Sequence, residues 1–388
     1  MKKIMILGGS EAQLPAILKA KELGYATFNV DMYADAFCRV YADEFEQIST
    51  LDYEKLDEAI KRYRPDGIMT LASDRPVPIL AKLAEKHHFN AVCVDAAVCA
   101  TNKLLMRMRF QNKGVSIPKF VKINEFKELQ DGLSLVGLPA ILKPVDSSGS
   151  RGISYIDDTT NLKEAFYYSK ASANSDVLLL EEYMLGREFS VESFTINNCT
   201  YICAVTEKMT TGKPHFIETG HTIPAQITSE EHKAIEQLVL NAHRALGVNC
   251  GPSHTEIMLT KDGPKIVEIG LRMGGDCISS YLVPLATSID LVGATIQQAV
   301  NDEVQLSRNT HQAACIRFLM PDNSRKVIDV VEHSIECDHY FVDKEKMNRT
   351  LNSSADRLGY VICKGKDAQD AKNRTEKALL GLEIVYEE

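Results

Sequence analysis

Residues 1–97 alternate between short β-forming runs and amphipathic stretches, and that alternation constrains the fold more than any other feature of the chain. KIMILGG ends a strand in glycines, LPAILKAKELG reads as a helix with a glycine stop, and ATFNVD is a second strand ending in Asp31. EKLDEAIKRYRPDGIMTL adds a helix and a strand, PVPILAKLAEKHH a further helix, and AVCVD a last strand. Strands separated by helices pair in parallel, because the crossover returns the chain to the same end of the sheet. The segment therefore predicts a small doubly wound parallel sheet, an α/β unit. Its first turn, GGSEAQ, lacks the G-x-G-x-x-G spacing, although Asp31 stands where the acid of a dinucleotide fingerprint would. A helix start after glycines remains open to another anion or a carboxylate.

From residue 98 the texture changes. TNKLLMRMRFQNKG is a helix with a glycine stop, PAILKPVDSSGSRGISYI is strand, loop and strand, and VLLLEEYMLGREFSVESFTIN holds two strands about a short connector. A long polar-edged helix, SEEHKAIEQLVLNAHRALG, precedes a hairpin. From about residue 305, CIRFLMP, GYVICKG and a final helix read as an α+β cap. The expected parts are 1–97, 98–304 and 305–388.

In the hairpin, His254–Thr260 and Lys265–Ile269 flank Lys261-Asp262-Gly263, read as a three-residue turn. That register sets Glu256 directly opposite Glu268 on one face of the sheet. Facing carboxylates repel unless a cation lies between them, so the pair either holds a hard divalent ion such as Mg²⁺ or faces water.

Composition narrows the function. A net charge of −9 with 25% charged residues gives no basic surface for nucleic acid. No apolar run approaches the ~20 residues of a membrane span, which points to a cytoplasmic protein. The ten cysteines are scattered and read as reduced core thiols.

Three further stretches carry chemistry. Lys143 ends a strand and leads into a Gly/Ser loop whose amides can wrap phosphate oxygens, or which is simply a mobile surface turn. LLLEEYMLGRE offers Glu181, Glu182 and the backbone near Met184 to a base edge, and Glu188 to a ribose. FIETGHTIPAQIT contributes His221, as a substrate contact or as a loop histidine satisfied by a neighbour.

In this order and spacing the set resembles the ATP-grasp superfamily of carboxylate-activating ligases over essentially the whole chain. The resemblance implies an N-terminal Rossmann-like domain, an ATP-grasp domain with a lid at about 115–185, and a small C-terminal cap. It implies that Lys103 and Lys143 contact ATP phosphates, and that Ser147, Ser148, Gly149, Ser150 and Gly152 form a loop closing over them. Glu181, Glu182 and Met184 would meet adenine and Glu188 the ribose. Glu256 and Glu268 would bind Mg²⁺, with Mn²⁺ able to substitute, and Arg272 would stabilise the transition state, with His254 beside it. Gly270 departs from the E-x-N-P-R pattern of many members, since it has no side chain to ligate a metal. EIGLRMGGD is more similar to bacterial L-amino-acid ligases that make dipeptides, and sets Gly274, Gly275 and Asp276 with His221 on the substrate side.

The expected activity is ATP-dependent joining of a small-molecule carboxylate to an amine through an acylphosphate, in a monomer or homodimer. One rival is a ligase or carboxylase of purine-type nucleotide biosynthesis acting on a ribosyl amine or bicarbonate, for which Arg39, Arg75 and Arg151 are loose phosphate-binding candidates. Another is a nucleotide-binding regulatory module without catalysis.

Overall fold

The computed structural model describes residues 1–147, 149, 151–213 and 216–387. Ser148 and Ser150 of the expected loop lie outside the described residues.

The N-terminal alternation forms a parallel sheet of β1 (Lys3–Leu7), β2 (Ala26–Asp31), β3 (Glu44–Gln47) and β4 (Gly67–Met69), in the order β3-β2-β1-β4. β1 is central and buried, with helices Leu14–Glu22 and Tyr53–Tyr63 as crossovers. Two local expectations change. β3 is a four-residue edge strand too short and too exposed to show a pattern. AVCVD is not a strand, because a helix starts at Val94 and runs to Ala100, burying Ala96, Ala97, Cys99 and Ala100. Asp31 accepts the Gly9 amide at 2.6 Å and the Tyr33 amide at 2.9 Å, so its carboxylate braces its own loop.

A second, antiparallel sheet contains β5 (Phe120–Ile123), β6 (Ala140–Pro144), β7 (Ser154–Ile156) and β8 (Leu178–Glu182), ordered β5-β8-β6-β7. Helices Leu129–Val136 and Leu162–Ala171 cover it over a core that includes Ile123, Leu142, Phe166 and Leu180.

The largest sheet has eight strands. It contains β9 (Gly186–Ile196), β10 (Cys199–Thr210), β11 (Glu218–Ile223), β12 (Gly251–Thr260), β13 (Gly263–Gly270) and β14 (Ala313–Leu319). A two-stranded sheet joins β15 (Val327–Glu332) to β18 (Leu382–Tyr386), while β16 (His339–Val342) and β17 (Gly359–Gly365) complete the large one. Its order, β13-β12-β9-β10-β11-β14-β17-β16, carries the C-terminal segment into the sheet that holds the glutamate hairpin. Residues 305–388 thus extend the central sheet through β14, β17 and β16 instead of packing on it as a separate layer.

One face of that sheet is apolar. Phe189, Val191, Val205, Ile257 and Ile269 pack on helix Ser229–Leu246, which buries Ile235, Leu238, Val239, Ala242 and Leu246. That spacing of three and four is one helical stripe. Thr228 caps the helix with Glu231 in a capping box, and Gly247 ends it in the left-handed conformation. The other face is left to polar residues.

Candidate active site

Register puts the polar residues of the hairpin in one row. Ser190 of β9 lies between Glu256 of β12 and Thr206 of β10, so residues two apart along each strand share the same face. Glu188, Glu192, Lys208, His254, Glu256 and Glu268 therefore line up together, and His221 of β11 pairs with Lys208.

The Glu256–Glu268 pairing stands, though by a different route from the one expected. The turn has two residues, because Thr260 pairs with Gly263. A bulge between Glu256 and Ile257 shifts the register by one and restores the pair. The extra residue is Val267, whose carbonyl accepts Arg107 Nη2 at 2.6 Å.

Each carboxylate already has cations near it. Glu268 takes Lys103 Nζ at 2.9 Å; Glu256 has Lys208 at 3.6 Å and His254 Nε2 at 3.7 Å. Burial alone would favour the neutral acid at Glu256, but Lys208 and His254 hold its carboxyl well below the usual range. Lys208 also meets Glu188 at 2.7 Å and Glu218 at 3.3 Å, and these acids keep its ammonium charged against the cost of burial.

Do the residues fit Mg²⁺? Both carboxylates are partly exposed, each side chain 29%, and Glu256 lines the neighbouring cleft. Among the described residues no group of three or more His, Cys, Asp or Glu is disposed to hold a metal. Mg²⁺ bound by one or two carboxylates keeps water and takes phosphate oxygens for the rest of its shell. Two facing glutamates meet the carboxylate part of that requirement.

Gly270 now has a physical reason. A Cβ there would stand 2.9 Å from Asp74 Oδ1 and 3.2 Å from the Arg272 guanidinium carbon. Asp74, from the loop after β4, binds Arg272 through two parallel contacts of 2.8 and 3.0 Å. The space an asparagine would use as a metal ligand is filled by this ion pair.

Glu181 is nearly fully buried, with Arg107 Nε and Lys143 Nζ each at 2.5 Å. Burial opposes its charge, yet the two cations hold its carboxyl down at about 2. Both its oxygens are engaged by these two cations. Burial lowers the Lys143 ammonium, which Glu181 supports but Arg107 and Lys103 crowd. Two cations thus share the Glu181 carboxylate, while Lys103 is paired with Glu268. Lys103 also donates to the Ser147 carbonyl at 2.7 Å, which ties it to the Gly/Ser loop. In that loop Gly149 and Gly152 have φ of +66° and +75°, a region that favours glycine.

A cleft of about 450 Å³ opens between the lid sheet and the large sheet. Lys143, Glu181, Glu182, Met184, Glu188 and Glu256 line it, with Lys208 on its floor. Glu182 also holds Lys265 at 2.5 Å.

On the far side of the row, His254 Nδ1 meets Glu192 at 2.5 Å. Burial would lower the imidazole, but Glu192 overrides it and holds His254 up at about 9. Glu192 also accepts the Gly274 amide at 3.1 Å and the Ser279 hydroxyl at 2.9 Å. His221 and Asp276 meet at 3.0 Å, and Arg357 joins them with contacts of 2.5 and 3.0 Å to Asp276. His221 Nδ1 is buried without a partner. A second cleft, of about 430 Å³, lies beside Gly274, Gly275 and Asp276.

The sequence alone did not single out Arg107, Lys208, Glu192, Asp74, Glu218 or Arg357. Two had a signal: Arg107 is four residues after Lys103 on one helix face, and Glu192 continues the alternate polar positions Glu188 and Ser190. Arg39 donates to the Ala34 carbonyl on the N-terminal unit, while Arg75 and Arg151 share a polar cleft with Ser147 and Gly152.

A four-stranded antiparallel sheet beside a large antiparallel sheet, with a cleft between them, is the ATP-grasp fold. Residues 136–280 match the ATP-grasp domain family. It is 25% identical over 355 residues to the uncharacterized protein y4rH of Sinorhizobium fredii, covering 87% of this chain and 73% of the relative. It is 25% identical to the formate-dependent phosphoribosylglycinamide formyltransferase of Flavobacterium psychrophilum, covering 70% of each. Among solved structures it is similar to an L-amino acid ligase from Bacillus licheniformis, with TM-score 0.82, 21% identity and coverage of 100% of this chain and 99% of that one. It is also similar to a phosphoribosylglycinamide synthetase from Anaerococcus prevotii, with TM-score 0.80, 21% identity and full coverage of both chains. These structural likenesses establish the fold.

Proposed function

We propose that the protein is an ATP-dependent ligase that activates a carboxylate as an acylphosphate and joins it to an amine, releasing ADP and phosphate. The observation that carries this reading is the facing of Glu256 and Glu268, paired with Lys208 and Lys103 respectively, at a cleft lined by Lys143, Lys208 and Glu256.

The substrate carboxylate attacks the γ-phosphorus of ATP, and ADP leaves. Lys103 and Lys143 meet phosphate charge as it moves between oxygens, and Arg107 and Glu181 fix the direction of Lys143. Glu256 and Glu268 would hold Mg²⁺, which supplies charge neutralisation at the phosphates. The amine then attacks the acyl carbon, loses a proton and expels phosphate. Arg272 is the donor for the acyl oxyanion, and Asp74 sets its plane. His254 is a fixed positive charge next to the row, held by Glu192. The Gly/Ser loop tied to Lys103 excludes water from the acylphosphate. All ten cysteines are free thiols, which favours a cytoplasmic setting.

ADP and phosphate release from Mg-ATP, measured over carboxylate and amine panels with mass spectrometry of products, tests the reading. A condensed amide accompanied by ADP is the expected result. ATP binding without turnover across the panel would favour a regulatory binder. The polar cleft shared by Arg75 and Arg151 is the observation behind the second reading, a phosphorylated ribosyl amine as substrate. ADP release requiring such a ribotide would select it.

A further inference from the structure

The second cleft, of about 430 Å³, draws its walls from three parts of the chain. Helix Leu14–Glu22 and Leu71 give one side, the segment from Gly274 to Tyr281 the base, and the C-terminal strands the other. Those strands contribute Phe318, His339, Phe341 and Tyr360, and Tyr281 stacks on His339 at 4.4 Å. Burial keeps the His339 imidazole below its ordinary value, so it is a neutral ring near pH 7.

The charges on this lining are unequal. Its carboxylates are Glu11, Asp276 and Asp343, and its cations are Lys346 and Arg357. Arg357 is committed to Asp276 and to the Glu218 carbonyl, with its guanidinium 3.5 Å above the Phe318 ring. Lys346 is paired with Asp343 at 3.2 Å. Each cation is therefore matched, and Glu11 remains as an acid with no salt-bridge partner among the described residues. Its carboxyl is shifted upward by burial and by Asp343, against the opposing pull of the Lys346 ammonium.

An anionic occupant would find both cations occupied and an acid at the mouth. A cationic head with an apolar body would place its charge at Glu11 and its body on the rings. Resting on the ligase reading, we infer that this cleft is the amine subsite, that it first binds an apolar or aromatic amine as the ammonium, which gives up a proton to solvent before the neutral amine attacks, and that Glu11 is its charge-selecting residue. Gly274 links it to the reaction centre, because its amide binds the Glu192 carboxylate that also holds His254. The same lining disfavours a phosphorylated amine.

Calorimetry on the full chain with Mg-ADP tests this using three probes of one carbon skeleton: 2-phenylethylamine, 2-phenylethanol and 2-phenylethyl phosphate. The amine is expected to bind about tenfold more tightly than the alcohol, and the phosphate most weakly. Glu11→Gln should remove most of the preference for amine over alcohol, whereas Tyr360→Leu should weaken both alike. A phosphate ester that binds as tightly as the amine, a preference that survives Glu11→Gln, or no binding of any probe overturns the inference. The ligase reading is judged separately by trapping acylphosphate with hydroxylamine. Absence of hydroxamate across carboxylates would sink that reading, while the binding preferences measured by calorimetry would still decide what the cleft accepts.

Discussion

Asp74 and Arg272, separated by 198 positions in the chain, form a two-point ion pair that fastens the N-terminal sheet to the end of the β12–β13 hairpin. The Met273 amide adds a backbone bond to the Leu71 carbonyl at 3.1 Å, so the guanidinium is set from both sides.

Asp74→Asn is accordingly expected to lower kcat by about 10²-fold with little change in the KM for ATP, because Arg272 loses its orientation while Lys103 and Lys143 keep theirs. Steady-state kinetics check this. Gly270→Ala crowds the same pair and should also slow turnover. In an Asp74→Ser background its additional cost should shrink, and a double-mutant cycle measures that coupling.

Glu181 gives a pH dependence with a definite sign. Its folded carboxyl is held at about 2, below the ordinary 4.5, so its contribution is fully present above the unfolded value and is lost as pH falls from about 4.5 to about 2. The loss is about 3 kcal/mol at most. Thermal melts of the wild type and Glu181→Gln should differ by several degrees at pH 7 and converge toward pH 3. A gap of constant size would show that the pair with Arg107 and Lys143 does not depend on charge.

Lys208→Met leaves Glu188, Glu218 and Glu256 facing one another with their shared cation gone. Removing one partner from a buried charge network typically costs about 3–5 kcal/mol. The variant should melt lower, and added Mg²⁺ should recover part of the loss through Glu256. Melting curves with and without the ion decide it, and an Mg²⁺ effect no larger than in the wild type would remove Glu256 from the metal site.

Glu268→Ala should abolish amide-linked ADP release while the protein still folds, since its side chain is 29% exposed and lies at the sheet edge. Full turnover in that variant would show that the facing pair is not the metal pair.

Local signals made much of this site legible. Glu256 could be set against Glu268 by counting outward from a turn, and the answer survived although the turn is shorter and a bulge intervenes. The bulge itself had no signal, because Val267 looks like any strand residue and only Arg107 shows why its carbonyl turns outward. The alternation of the first 97 residues gave the parallel sheet but missed β3, where four half-exposed residues carry too little pattern. AVCVD misled because a β-branched and sulfur-containing run packs as well on a helix as on a strand, and tertiary burial decided. Asp74 and Arg357 were invisible for another reason. Their meaning lies in partners far along the chain, and no spacing encodes such a meeting.

The bond ladder between β11 and β14 reaches beyond the site. It pairs Gly220 with Arg317 and Ile223 with Ala314, so the C-terminal strands finish a sheet begun well over a hundred residues earlier. A chain cut after residue 304 would leave β11 as an open edge, with a row of bare amides and carbonyls ready to recruit a strand from another molecule. The final quarter of the protein thus acts as a guard against aggregation, and shortened versions should fail first in solubility, before any question of catalysis arises.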